Sequence, residues 1–227
     1  MQQRILKFDP QLVPIEQAYL EAPAVRMDIL HPQGLRDRFL QSKTWTPEVT
    51  DESRQSYEYS KGKGKRIAAV LIPIVQYENH LSVLFTQRAD HLHSHAGQIS
   101  FPGGRKEESD VDIKHTALRE AQEEIGLPFS RVEHLGHLPD YLTITGYQVT
   151  PIVGLVSSTD GLVADANEVS DIFEVPLSFL MNPANHQIRE HIAPEYTRRF
   201  YAMPYQSKFI WGATAGMLRN LYHFLSA

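Results

Sequence analysis

An α/β fold is predicted by three features of the chain. Residues 67–76 (IAAVLIPIVQ) and 81–87 (LSVLFTQ) are β-rich runs parted by Tyr77-Glu78-Asn79-His80, which reads as a hairpin. A helical segment follows, in which Ala117, Leu118, Ala121 and Ile125 form an apolar stripe beside an acidic one. Further strand-like runs at 132–138, 148–156 and 171–176 then precede helical stretches at 177–181 and 208–225.

Before the hairpin, residues 1 to 26 carry three prolines and no sustained period, which predicts an extended arm. Residues 28–43 place Ile29, Leu30, Leu35, Phe39 and Leu40 at amphipathic spacing, interrupted by His31-Pro32. From Thr44 to Lys65 the chain is polar and ends in Lys-Gly-Lys-Gly-Lys, which lacks the Walker spacing and reads as a flexible linker. Residues 1–60 are therefore expected to form an arm, a helix and part of a linker, and 61–227 the main domain, with its first strand from Arg66.

The central helix has a defined beginning and end. Phe101-Pro102-Gly103-Gly104 supplies a turn whose glycines permit close backbone approach. Gly126 stops the helix, and Pro128 prevents its return. Within it, Glu120, Glu123 and Glu124 fall at i, i+3 and i+4, so three carboxylates crowd one face. Each like-charge pair at that spacing costs roughly 0.2–0.5 kcal/mol unless a cation sits there. Clustered oxygen ligands suit Mg²⁺ or Mn²⁺.

A plain solvated helix face is the bland alternative for three glutamates alone. The frame Arg119-Glu120-x-x-Glu123-Glu124-x-Gly126 is far more specific, arising by chance in on the order of one in several thousand chains of this length.

The segment resembles the Nudix box, a Gly-Gly loop and an upstream acid followed by R-E-U-x-E-E-x-G-U. It matches at Arg119, Glu120, Ala121, Glu123, Glu124, Gly126 and Leu127. The upstream acid is Asp110 in place of the usual glutamate, and the run from Gly104 to Arg119 is one residue longer than standard. Leu84-Phe85-Thr86-Gln87-Arg88, then Gly97 and Phe101-Pro102-Gly103-Gly104, resembles the extended signature of the coenzyme A pyrophosphatase subgroup, in which that aspartate and spacing are usual. His93 stands where the subgroup normally has arginine. Similar segments at 145–151, 167–169 and 209–216 extend the resemblance over about residues 66–222.

The resemblance implies a Nudix-type α/β/α sandwich with a mixed β-sheet and a loop-helix-loop catalytic motif. It also implies a Mg²⁺- or Mn²⁺-dependent diphosphatase that cleaves coenzyme A or its thioesters to 3′,5′-ADP and (acyl-)4′-phosphopantetheine. The expected metal ligands are Glu120, Glu124 and the Gly104 carbonyl, supported by Glu123. Arg119 and Glu123 are expected to assist catalysis, Arg119 by pinning a glutamate, and Glu168 is the candidate base or further ligand outside the box. Arg88, His93, Gly103 and Arg105 are expected at the substrate's phosphates. His91, His93 and His95 could form a zinc site on paper, but read more simply as polar loop residues, and His115 as structural.

Other substrates remain open: NADH, ADP-ribose, dinucleotides, or a non-catalytic nucleotide sensor. A sensor is expected to lose box carboxylates, and all three are present. The chain has 227 residues, is 42% hydrophobic, lacks cysteine and carries a formal charge of −5. These values fit a sizeable core and a reducing cytoplasm and argue against nucleic acid as a partner, while the small-molecule nucleotide partner is what the resemblance implies. No run is long enough for a membrane span, no secretory core opens the chain, and the family makes a homodimer plausible.

Overall fold

Successive side chains of a strand point to opposite faces, so an uninterrupted apolar strand needs cover on both sides. Strand β2 (Arg66–Gln76) is such a strand. Its Ala69, Leu71 and Val75 join one core with Ala117, Leu118, Ala121 and Ile125 of helix α2 (Ile113–Ile125). Its Ala68, Ile72 and Ile74 join a second core with Leu218, Leu221 and Leu225 of helix α4 (Gly212–Ser226). The result in this computed structural model, which describes residues 8–18, 22–48, 50, 66–92, 96–143, 145–194 and 196–227, is an α/β/α sandwich.

The central sheet is mixed. β2 runs parallel to β8 (Tyr147–Val156), in register from Arg66↔Tyr147 to Val75↔Val156. It is antiparallel to β3 (Leu81–Arg88), which in turn pairs antiparallel with β9 (Val169–Pro176). β6 (Val132–His137) and β7 (Tyr141–Leu142) border β8.

One departure from regular pairing builds the site. β2 and β3 are paired only over Ile74–Gln76 and Leu81–Val83, at their hairpin end. Beyond it, β4 (Ile99–Ser100) takes the vacated edge of β3, and β5 (Gly103–Arg105) that of β2. Phe101-Pro102 is thus wedged between two diverging strands, and the Leu71 N–H holds the Pro102 carbonyl at 2.9 Å.

A second sheet, ordered β1 (Ile15–Ala18), β10 (Gln187–Ala193), β11 (Tyr196–Tyr205) and β12 (Lys208–Trp211), covers the other side of α4. One expectation is corrected here and two are refined. The stretch 208–225 is not one helix: Lys208–Trp211 pairs with β11, and the helix starts at Gly212, whose φ of 62° allows the chain to turn. The helix expected at 177–181 is a single turn, α3 (Leu177–Leu180). Part of the N-terminal arm is strand β1, because β10 offers it an edge. Helix α1 (Pro32–Leu40) starts at His31, whose Nδ1 accepts from the Gly34 N–H, so the His31-Pro32 break is its N-terminus.

The N-terminal segment lies against the rest of the chain. Leu35 is buried, Arg36 forms a two-bond pair with Glu133, and the Val25 N–H donates to the Met181 carbonyl. The expected linker at 61–65 lies outside the described residues. Among those described, no helix is long and apolar enough to cross a membrane.

His186 illustrates how the second core is closed. It is fully buried, its Nε2 at 2.6 Å from the Leu180 carbonyl and its Nδ1 at 3.0 Å from Arg219 Nη1. Nε2 must donate and Nδ1 must accept, so the ring is neutral. Burial, helped by the nearby Arg219 and His223 and opposed by the bond to the Leu180 carbonyl, lowers its pKa to about 4. An unfolded histidine titrates near 6.5, so between about pH 6.5 and 4 the unfolded chain binds the extra proton and the native state does not. Stability should therefore fall by about 2–4 kcal/mol over that window, and His186→Gln should remove most of that part of the slope in calorimetry across pH.

Candidate active site

Helix α2 is fixed at both ends by local chemistry. Asp112 caps it by accepting from the His115 N–H at 2.6 Å, and Gly126 ends it in the left-handed conformation. With its apolar stripe seated on β2, its acidic edge is turned toward β5.

Arg119 organises that edge. Its Nε and Nη2 grip Asp110 at 2.9 and 3.1 Å, Nη1 reaches Glu123 at 2.8 Å, and Nη2 lies 3.0 Å from both Glu120 and the Arg105 carbonyl. Its donors are thereby committed to the protein, which makes it a positioning residue. Asp110, whose side chain is fully buried, also accepts from the Glu107 N–H, Thr116 Oγ1 and His115 Nδ1. The Arg119 guanidinium holds the Asp110 carboxyl far below the usual range. His115 thus serves the loop.

The three glutamates are not equivalent. Glu123 is largely exposed and drawn to Arg119. Glu120 and Glu124 face the glycine loop. A β-carbon on Gly104 would lie 2.5 Å from the Glu120 carboxylate, and the Gly103 N–H donates to Glu124 Oε2 at 3.3 Å. Gly103 itself has no room for a side chain, since a β-carbon there would lie 2.4 Å from the Ala69 carbonyl. Gly104→Ala should therefore displace Glu120 and reduce turnover by at least about tenfold while the melting temperature moves little, readable by kinetics beside thermal denaturation.

Glu124 is 5% exposed. Burial pushes its pKa up to about 8, with Glu120 and Glu168 adding repulsion and Gly103 and Arg88 offsetting it. Burial also raises Glu120, against the pull of Arg119. Glu168 is exposed on the loop before β9, where its carbonyl accepts from the Ala89 N–H. Arg88 ends β3 beside it, half-buried, with no hydrogen-bond partner for its Nε among the described residues. The Arg105 side chain is exposed at the end of β5. His93 and His95 lie outside the described residues, and His91 Nε2 is 3.2 Å from the Asn167 carbonyl.

Among the described residues, no three acidic or histidine side chains form a group that could hold a metal ion unaided. The donors present nevertheless fit a hard divalent cation. Two carboxylates, one of them buried and poorly compensated, converge on a glycine backbone, and Mg²⁺ commonly takes one or two carboxylates plus water and substrate phosphates. Glu120, Glu124 and the Gly104 carbonyl could supply the protein's share. Arg119 was expected to pin a glutamate by a two-bond pair; it touches Glu123 and Glu120 once each, and its two-bond pair is with Asp110, which was not among the expected site residues. Its signal in the sequence is the upstream-acid position of the box, which Asp110 occupies.

Residues 65–196 match the family model described as the NUDIX domain. The chain is 44% identical over 160 residues to the protein named "Uncharacterized Nudix hydrolase NudL" of Escherichia coli O7:K1, covering 69% of this chain and 81% of that one. The protein of the same name from Shigella boydii serotype 18 matches equally. Among solved structures, a C. elegans Ap4A hydrolase is similar at TM-score 0.43 and 17% identity, over 52% of this chain and 85% of that one. The NUDIX domain of Shewanella oneidensis NrtR, complexed with ADP ribose, is similar at TM-score 0.41 and 22% identity, over 54% and 83%. With the family model spanning more than half of its length and relatives this similar, the chain belongs to the Nudix family of hydrolases.

Proposed function

We propose that this Nudix hydrolase cleaves the diphosphate of coenzyme A or its thioesters, releasing 3′,5′-ADP and (acyl-)4′-phosphopantetheine. The observation that carries the diphosphatase reading is the pair Glu120 and Glu124, held against Gly103-Gly104 with the unpartnered Arg88 Nε nearby. The coenzyme A reading rests on the elements from Leu84 to Arg88 and from Phe101 to Gly104, which the fold brings together through β3, β4 and β5.

Glu120, Glu124 and the Gly104 carbonyl would hold Mg²⁺ or Mn²⁺, with Glu123 in support, and the chemistry supplied there would be neutralisation of diphosphate oxygens and a lowered pKa for water. Arg88, His93, Arg105 and the Gly103 backbone receive the phosphates, and Glu168 takes the proton of the attacking water. Water adds at one phosphorus, the bridging P–O bond breaks, and the proton passes to the departing phosphate. Arg119 keeps the carboxylates in register.

Hydrolysis of coenzyme A beside dephospho-coenzyme A, NADH, ADP-ribose and diadenosine polyphosphates, with Mg²⁺ or Mn²⁺, tests this reading. Preferential release of 3′,5′-ADP from coenzyme A is expected. Preference for another compound keeps the diphosphatase and discards the substrate, and binding without turnover under either metal overturns both.

A further inference from the structure

A groove of about 390 Å³ lies on the α2 face of the sheet, lined by Leu84, Thr159, Leu162, Ile172, Phe173 and Glu174. None of these residues belongs to the carboxylate edge, but strand geometry puts the two within reach of one extended chain. Leu84, Thr86 and Arg88 alternate onto one face of β3, so its floor at Leu84 lies four residues, about 13 Å, from Arg88. Ile172 stands opposite Thr86 and Glu174 opposite Leu84, so β9 supplies the same face one strand over. The outer wall is tied to α2 itself: the Val163 N–H donates to the Ile125 carbonyl, and the Asp165 N–H to that of Glu124.

We infer that this groove receives the neutral, non-nucleotide arm of the substrate, an extended chain of alternating apolar and amide groups such as pantetheine. The inference rests on the coenzyme A reading above and adds which half of the molecule lies on which side.

Three features select that occupant. Leu162 and Ile172, seated over the buried Leu84, offer apolar surface to methyl and methylene groups. Among the described residues β9 pairs only with β3, so its outer edge can present backbone donors and acceptors to an arm that carries amides. The charge at the far end is acidic: Glu174, which accepts from the Tyr77 hydroxyl at 2.8 Å, and Asp160, whose negative charge also raises the Tyr77 pKa. A 3′-phosphorylated nucleotide is repelled from that end, and Arg88 and Arg105 lie at and beyond the opposite one.

Ile172→Trp fills the groove from β9. The quantity read is the ratio of kcat/KM for coenzyme A to kcat/KM for an analogue with a methyl ester in place of pantetheine, which keeps the nucleotide and the diphosphate charge. The ratio should fall at least about tenfold relative to wild type, mainly through KM for coenzyme A. If Ile172→Trp does not fold, Thr159→Trp fills the same groove from the loop and is read in the same way. An unchanged ratio in the folded variant, with coenzyme A still cleaved by wild type, overturns the groove and leaves the substrate reading standing. If wild type does not cleave coenzyme A, the substrate reading fails and the groove assignment falls with it.

Discussion

Glu124→Gln is expected to lower turnover by on the order of 10²–10³-fold or more without unfolding the protein. The substitution keeps the volume of a buried side chain and its acceptor for the Gly103 N–H, but removes the charge that a divalent cation needs. It also removes a carboxylate whose pKa is already raised to about 8 by burial beside Glu120 and Glu168. The metal-free variant should therefore be at least as stable as wild type, a stability-activity opposition common at functional sites. Melting temperature and circular dichroism, measured in chelator beside single-turnover kinetics, check both halves. Near wild-type turnover would remove Glu124 from the metal site.

Arg119→Ala should act the other way, lowering stability and activity together. It takes the two-bond partner from Asp110, whose side chain has no solvent exposure, and frees Glu120 and Glu123. Breaking a buried pair by removing one partner costs about 3–5 kcal/mol, which for a chain of this size lowers the melting temperature by roughly 10 °C. The three remaining donors to Asp110, from Glu107, Thr116 and His115, place the loss toward the lower end. Arg119→Lys keeps the charge but not the planar fork, so it should recover less than half of that loss. In the double variant Arg119→Ala, Asp110→Ala the two losses should be well short of additive, since the buried carboxylate is gone as well. Additive losses would mean that the pair does not act as a unit.

The separate behaviour of the glutamates shows how far spacing can be read. Their positions at i, i+3 and i+4 put all three on one side of α2, and the apolar stripe determined which side of the helix met the sheet. Periodicity does not say how side chains on that edge divide. Glu123 turns to Arg119 in solvent, and Glu124 is buried under the glycine loop, because β5 runs past one part of the edge and not the other.

The hairpin 67–87, the helix with its Gly126 stop, and the strands at 132–138, 148–156 and 171–176 were legible in local pattern. The second sheet was not. β1, β10 and β12 are partly exposed strands of mixed composition: β1 is a strand because the distant β10 offers it an edge, and β10 and β12 are held by the hairpins they form with β11. The sequence by itself determined the α/β class, the central helix and the candidate carboxylates, all of which depend on interactions within a few residues. Tertiary structure alone decided the divergence of β2 from β3, the wedge of Phe101-Pro102 between them, the burial of Glu124 and the Asp110–Arg119 clamp. Those depend on contacts between separate elements, from Asp110 and Arg119 on a loop and a helix to β2 and β5 in the sheet, which the periodicity of any one element does not contain.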